Sequence, residues 1–532
     1  MAQNIYDIDK VTNNISYEEF NKHLEFLASD KLKGRETGSE GYAKAAEYAA
    51  DRFNSNGLKP FGDNNTFFQK VPFIKKSIVK SSIDINITSK NEDTINANYG
   101  ENISIFINGD HERINAKQQL VFVGYGNVDT NLNINDYEGV DVINKTVLVV
   151  MGAPKKVKSY DFWDPTIKVR NAEQNGASGV IICFPQRLIQ NMLFKGLHGF
   201  LGEPLLSLKD TSLVDPMFDL EFDVAAVVRK DLAKNIFKQN DLIFSKVLKK
   251  IKKGENMSQN LNSTIHCNYS IKIEDVDCQN VVALLPGSDS LLAKEHVIVG
   301  AHLDHVGVGK AIKGDSIYNG MWDNATGVAT LISIAETYHD ASIKPKRSLV
   351  LVCYTGEEKG LLGSNYFANR NHIPPGNMAA NLNIDMLGGL FPTKDIIPMG
   401  YSHSTLSEAV DYSAKKLNFV IDDNKKEEND YLFRSDQASF LKLGVPVLNV
   451  ANGYTAVDPK INGQKEINKW MKKVYHSPFD DLNQEYSKEA FHSAIKLSFL
   501  TTYYATNLLE EIKWNEDSWI YKRYVVNDAV DQ

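Results

Sequence analysis

From residue 278 onward the chain alternates short apolar runs with helical segments, and this pattern restricts the fold more than any other feature. The runs NVVALLPG, HVIVGAH, RSLVLVCYTG and NLNIDMLGG have the length of buried strands, and the segments GVATLISIAETYH and LLGSNYFANR have helical periodicity. Such alternation implies crossover connections, which make strands parallel and place helices on both sides of them. We therefore predict an α/β fold with a doubly wound mixed, mainly parallel sheet and helices on both faces.

The chain before residue 278 divides into two further parts. Residues 17–58 have helical periodicity, and residues 66–110 consist of short β-branched runs. Residues 118–185 form a strand, helix and strand pattern of their own, whereas 186–275 look less regular and carry the basic run KVLKKIKKGE, which is typical of a solvated helix face. We predict three domains: N-terminal helices and strands over 1–110, an inserted α/β domain over 111–275, and the domain that carries the chemistry over 276–532.

Acidic and histidine side chains stand where the predicted strands end. In open α/β sheets, ligand sites gather at the carboxyl ends of the strands. Each such residue alone has an ordinary explanation, as when an Asp caps a helix, but together they supply the N and O donors that two zinc ions require. The residues concerned are His302 and Asp304, the pair Glu357 and Glu358, Asp385, Asp323 before a helix, and His476 in VYHSPFDDL.

Composition excludes several other classes of protein. The 59 basic and 67 acidic residues give a net charge of −8, which argues against a nucleic-acid partner. No run approaches the ~18 apolar residues of a membrane span, and MAQNIYDIDK lacks the basic and apolar regions of a secretory signal. Cys183 and Cys353 lie in apolar runs and are predicted to be buried thiols, while pairing of Cys267 with Cys278 is left open.

Six segments in the range 296–482 resemble, in order, the signatures of the co-catalytic di-zinc aminopeptidases, a family that also contains glutamate carboxypeptidase II and the transferrin receptor. They are GAHLDHVG, GMWDNATG, YTGEEKGLLGS, NIDMLG, FRSDQASFLKLGVPVL and YHSPFDDL. The early segment GRETGSEGYAKAAEY is also similar to members of the family, and residues 118–185 look like the protease-associated domain that many members insert. The resemblance implies the zinc aminopeptidase fold with an inserted protease-associated α/β domain.

The resemblance also implies a role for each site residue and two Zn²⁺ ions per subunit. His302 and Asp385 would bind one zinc, Glu358 and His476 the other, and Asp323 would bridge them. Glu357 would be the general base, Asp304 would orient the His302 imidazole through its carboxylate, and the Asp323–Asn324 peptide would be cis. In FRSDQASF, Asp436 matches a position near the substrate amine.

Two departures from the family pattern affect the substrate-binding residues. Gln437 stands where many members have His, and Phe433 stands close to a family Tyr. The Tyr that helps to stabilise the oxyanion in the family is therefore either absent from this chain or supplied by Tyr431. His305 and His403 are expected to pack or to face solvent rather than to bind zinc.

The function that this resemblance implies is a zinc-dependent metallo-aminopeptidase. It would remove N-terminal residues from peptides with a free N-terminus, using a water shared by the two zinc ions and Glu357 as the base. The alternatives are a carboxypeptidase of the glutamate carboxypeptidase type, for which Arg434 and Arg370 are candidate carboxylate partners, a glutaminyl cyclase, which uses one zinc, and a receptor-like binding ectodomain. The family implies a periplasmic or secreted location.

Overall fold

The computed structural model of the chain forms two compact units, residues 1–72 with 277–532 and residues 73–276. The predicted boundaries near residues 110 and 275 stay predictions, and residues 73–110 fall within the second unit. No helix in the described part of the chain is long and apolar enough to cross a membrane. The structure describes residues 6–89, 91, 93–107, 109–130, 132–157, 164–185, 194, 198, 201–214, 221–374, 376–423 and 431–526.

The first unit is built on a mixed sheet with a parallel centre, as the alternating pattern predicts. The parallel strands lie in the order Ser348–Tyr354, His296–His302, Met378–Asn383 and Val447–Asn452. Antiparallel neighbours flank them: residues 281–285, then Lys59–Pro60, on one side, and Asp395–Met399, continued by the parallel strand Val420–Ile421, on the other.

Helices cover both faces of this sheet. Ile298 and Val352 pack in one cluster with Phe367 and Phe440 of two helices. On the opposite face, Val299 lies across a small cavity from the long helix near the C-terminus. The α-helices of the unit are Ile8–Asn13, Tyr17–Leu27, Glu40–Ser55, Thr326–Asp340, Leu362–Arg370, Ser407–Leu417, Gln437–Leu441, Gly463–Lys473, Lys488–Asn507 and Trp519–Tyr521.

The second unit contains its own parallel sheet. Its strands lie in the order Arg113–Phe122, Thr146–Val150, Gly179–Cys183 and Val224–Val228, with Ile103–Ile105 antiparallel at the end. The α-helices Pro165–Gln174, Lys230–Lys238 and Phe244–Lys253 belong to the same unit. Its shorter strands include Asp84–Ser89, Thr94–Ile95, Val128–Asp129, Ile134–Asn135 and Leu205–Leu208.

A long strand, Gln259–Leu285, begins within residues 186–275, the range that looks less regular in the sequence. In its first half every second side chain is buried, including those of Leu261, Ile265 and Tyr269. The residues between them are mostly polar, which masks the alternation in the sequence but is normal for a sheet with one solvated face. Cys267 and Cys278 lie in this strand as free, buried thiols, and Cys183 and Cys353 are buried as predicted.

Candidate metal centre

Two adjacent parallel strands bring the first donors together. His302 ends the strand His296–His302, and Asp385 stands two residues beyond the strand Met378–Asn383. His302 Nε2 is 3.4 Å from Asp385 Oδ1. His302 Nδ1 is 3.1 Å from the backbone oxygen of Asp304, which can only accept, so Nδ1 carries the proton and Nε2 faces the carboxylates.

Asp323 joins two groups of donors through its two carboxylate oxygens. Oδ1 is 3.2 Å from His302 Nε2, and Oδ2 is 3.1 Å from His476 Nε2. The Asp323–Asn324 peptide is cis, as the resemblance implied. The Asn324 side chain donates to the Ile384 carbonyl (2.9 Å) and accepts from the Gly327 amide (3.0 Å), which ties this turn to the segment that carries Asp385.

Two sets of side chains have ligand atoms that all lie within 4.8 Å of one another. Group A contains His302, Asp323 and Asp385. Group B contains Asp323, Glu358, His476 and also His305. The structure therefore brings all five predicted metal ligands together, and it adds His305, which we had expected to pack without a role in metal binding.

The donor set and its spacing fit zinc. Two donors on one tetrahedral zinc with bonds of ~2.0–2.1 Å stand about 3.3 Å apart, and His476 Nε2 is 3.1 Å from both Asp323 Oδ2 and Glu358 Oε2. The cluster also attracts positive charge. Burial lowers the pKa of His476, but the carboxylates of Asp323 and Glu358 outweigh it and raise the pKa to about 10. A divalent cation would neutralise the same excess of carboxylates.

Asp304 acts differently from our prediction. The contact with the His302 imidazole is made by its backbone carbonyl, not by its carboxylate. The buried carboxylate instead accepts the backbone N–H groups of Glu357 (3.1 Å) and Glu358 (3.3 Å), and the hydroxyl of Thr37 (3.1 Å). Because adjacent side chains diverge, this anchored turn presents Glu358 to group B while Glu357 stays outside both groups.

The predicted substrate-binding residues differ in environment. Asp436 is fully buried, and burial raises its pKa to about 7, with the His302 charge opposing the shift and Asp385 adding to it. Tyr431 is exposed, and the Arg434 guanidinium lies 5.1 Å from its ring centre. Gln437 accepts from Asn383 (2.8 Å) and donates to the Leu432 carbonyl (3.0 Å), so it has a structural role. His403 packs, as expected, and its Nδ1 is 2.8 Å from the Ser518 hydroxyl.

Two further residues support the site and were missed by sequence reasoning. The Asp480 carboxylate accepts the backbone N–H groups of Trp322 (2.9 Å) and Asp323 (3.0 Å). The buried Arg35 guanidinium donates to the carbonyls of Leu303 and Gly320 at 2.8 and 2.9 Å, among others. Both residues lie in segments that we singled out, YHSPFDDL and GRETGSEGY, but nothing in their spacing indicates which backbone groups they bind.

Comparison with known proteins agrees with this architecture. Residues 280–501 match the sequence model of the family described as peptidase family M28. The chain is 27% identical over 209 residues to leupeptin-inactivating enzyme 1 of Streptomyces exfoliatus, covering 38% of this chain and 43% of that protein. It is 34% identical over 114 residues to a probable zinc metalloprotease of Pyrenophora teres f. teres (strain 0-1), covering 21% of this chain and 23% of that protein. The chain thus spans less than half of either relative.

A solved structure shares the fold over almost the whole chain. It is the aminopeptidase from Aneurinibacillus sp. strain AM-1, with a TM-score of 0.56, 19% identity, and coverage of 96% of this chain and 98% of that one. The family match contains the strands that carry His302, Glu358 and Asp385 together with the segment of His476. In sequence, residues 280–501 are therefore similar to peptidase family M28.

Proposed function

We propose that the chain is a zinc-dependent exopeptidase, and most simply an aminopeptidase that removes N-terminal residues from peptides. The observation that carries this proposal is the Asp323 carboxylate, whose two oxygens belong to two adjacent donor groups. A carboxylate shared by two metals is the arrangement with which two-metal hydrolases activate water and stabilise a developing negative charge. The name of the matched family gives the bond to be hydrolysed.

The chain's own residues divide the work as follows. Groups A and B would each hold one zinc ion, and the pair when bound would polarise the scissile carbonyl and lower the pKa of the attacking water. Glu357 takes the proton from that water and delivers it to the leaving amine. Asp304 holds the Glu357 backbone, so the carboxylate keeps its place beside the groups during the transfer.

A cavity beside group A suits the N-terminal residue of a peptide. It has a volume of about 270 Å³, and Asp385 of group A is one of its lining residues. The carboxyl groups of Asp385, Asp436 and Glu357 interact electrostatically with one another, so this side of the cavity offers oxygen acceptors for a substrate ammonium group. The apolar lining favours a large apolar side chain, and it includes Trp322, Leu390, Phe391, Ile397, Met399, Trp470 and Met471.

A carboxypeptidase is the second candidate, because Arg434 also lines this cavity. Among the described lining residues it is the one cationic side chain. Its guanidinium is exposed and rests on the Tyr431 ring. A single exposed cation binds a substrate carboxylate less strongly than a cluster of buried ones, so we place the aminopeptidase first.

The test is mass spectrometry of a peptide library incubated with the zinc-loaded protein. Half of the library carries acetylated N-termini, and a parallel sample contains a chelator. We expect stepwise loss from free N-termini only, fastest for large apolar residues, and none with the chelator. Loss from the C-terminus would move the assignment to the carboxypeptidase, and intact peptides in the presence of two bound zinc ions would refute both.

We also propose that the second unit is a protease-associated domain and that the protein acts in the periplasm or outside the cell. The α/β architecture of residues 73–276 supports the first proposal, and the family resemblance supports the second. Immunodetection in fractionated cells tests the location, and recovery of the protein in the cytoplasmic fraction alone would refute it.

A further inference from the structure

We propose that His305 is a metal ligand of group B, so that the two metal positions are unequal: group B offers four protein donors and group A offers three. This inference rests on the zinc site of the proposed function, and it goes beyond the five ligands that the resemblance implied.

The His305 imidazole occupies a buried position beside Gly320. The residue lies three positions beyond the strand His296–His302, its side chain is fully buried, and its backbone N–H donates to the Arg35 carbonyl at 3.2 Å. Gly320 faces the ring, and a Cβ there would lie 2.5 Å from the imidazole Cγ. Gly320 has φ +59°, so both its conformation and this contact favour glycine.

The polar atoms of His305 point into group B. Its Nδ1 is 2.7 Å from Glu358 Oε1 and 3.9 Å from Asp323 Oδ2, and its ring centre is 5.5 Å from that of His476. Within the described part of the chain, neither ring nitrogen has a partner with hydrogen-bond geometry, and the same holds for Glu358 Oε1. Two donors that share a cation point at the cation rather than at each other, which explains why this pair lacks hydrogen-bond alignment.

A role in orienting Glu358 would give a different geometry. A histidine that positions a carboxylate does so through an aligned N–H···O bond, as the Nδ1 of His302 does with the Asp304 carbonyl. The His305–Glu358 pair lacks that alignment at 2.7 Å. A buried imidazole without a hydrogen bond is costly, and a metal ligated by His305 removes that cost.

The count of donors predicts different behaviour of the two positions. Four protein donors complete the tetrahedral coordination of zinc, whereas three leave a position for water or substrate. The second imidazole in group B also favours zinc over the oxygen-preferring ions Mg²⁺ and Ca²⁺. We therefore infer that group B binds zinc first and tightly, and that group A exchanges its metal and receives the substrate.

The first experiment uses the unaltered protein with one equivalent of zinc. X-ray absorption at the zinc edge counts the imidazoles bound to the tight position, and we expect two, from His305 and His476. One imidazole would overturn the inference while leaving the proposed function intact. A chain that binds no zinc at all would overturn the proposed function as well, so the two failures are distinguishable.

The second experiment titrates the metal-free His305→Ala variant with zinc against a chromophoric chelator. Loss of a residue that only hydrogen-bonds to a metal ligand weakens metal binding about 10–100-fold. We expect the zinc affinity of group B to fall by more than this in the variant, and the zinc affinity of group A to change less. The matched control is His403→Ala, which removes another buried histidine of the same unit that is outside both groups. Equal zinc affinities in the two variants would contradict a ligand role for His305.

Discussion

Neighbouring residues in this site have separate tasks, and the Glu357–Glu358 pair is the clearest case. Both backbone N–H groups are held by Asp304, yet only Glu358 belongs to a donor group. The sequence could predict this division, because adjacent side chains diverge at a strand end. It could not predict that Asp304 contacts the His302 imidazole through its carbonyl, since the choice between carbonyl and carboxylate depends on the path of the backbone after the strand.

The first prediction separates catalysis from metal binding at this pair. Glu357→Gln should lower kcat by about 10²–10⁴-fold, because the amide cannot accept the proton of the water, while zinc content stays at the level of the unaltered protein. Glu358→Gln should lower zinc content itself. Peptide hydrolysis and elemental analysis measure the two effects, and a Glu357→Gln variant with more than a tenth of the original rate would contradict the role of general base.

Asp480 gives a second prediction at this scale. In Asp480→Asn one amide N–H of the Trp322–Asp323 turn loses a good acceptor, so we expect a loss of about 1–3 kcal/mol in the free energy of unfolding and about 10–100-fold weaker zinc binding. Asp481→Asn is the matched control, because the half-buried Asp481 side chain bonds only with the nearby Asn483 in the described structure. Urea unfolding of the metal-free proteins and zinc titration test this, and equal effects would refute it.

At the scale of elements, the sequence predicts the helices and strands whose apolar residues recur with a clear period. It misses those in which polar residues obscure that period. The apolar strands and the helix Thr326–Asp340 stand out because they are buried on more than one side. The strand Gln259–Leu285 does not, because Asn, Ser and His alternate with its buried residues. The place of His305 in group B was not predicted for a related reason. A histidine that follows a strand has the same sequence context whether its ring packs in the core or binds a metal.

The alternation in that strand gives a third prediction. Ile265→Ala should lower the free energy of unfolding of the second unit by about 2–5 kcal/mol, because Ile265 is fully buried in the core of that unit. His266→Ala, one residue on and facing the other side, should change stability by about 0.5 kcal/mol or less. Hydrogen exchange of residues 259–271 in urea isolates this unit, and similar costs for both variants would contradict the register.

At the scale of the whole molecule, the five candidate ligands named by the family resemblance come together in two donor groups, whereas the predicted domain limits stay predictions and the compact units divide the chain after residues 72 and 276. From the sequence we assign residues 73–110 to the N-terminal region, because their short β-branched runs do not indicate which sheet they join. In the structure they include Asp84–Ser89, which pairs with the long strand of the second unit. Partner choice between distant strands is a tertiary property that local patterns do not encode.

The fourth prediction concerns metal removal from the intact protein. Group A and group B both lie in the first unit, so a chelator should lower the melting temperature of that unit and leave the second unchanged. Zinc at about 1,000 times its Kd should raise the free energy of unfolding of the first unit by about 4 kcal/mol. Calorimetry with and without chelator measures both transitions, and a chelator effect on residues 73–276 alone would contradict the assignment.

Arg35 has a consequence for the order in which the protein is made. Its guanidinium is buried and donates to carbonyls near Leu303 and Gly320, almost three hundred residues later in the chain. During synthesis from the N-terminus, the ribosome must complete the whole second unit before those acceptors exist. His476 emerges later still. The candidate metal centre can therefore assemble only after residue 476 has been made, so a nascent chain that is still short of His476 lacks one of the donors of group B.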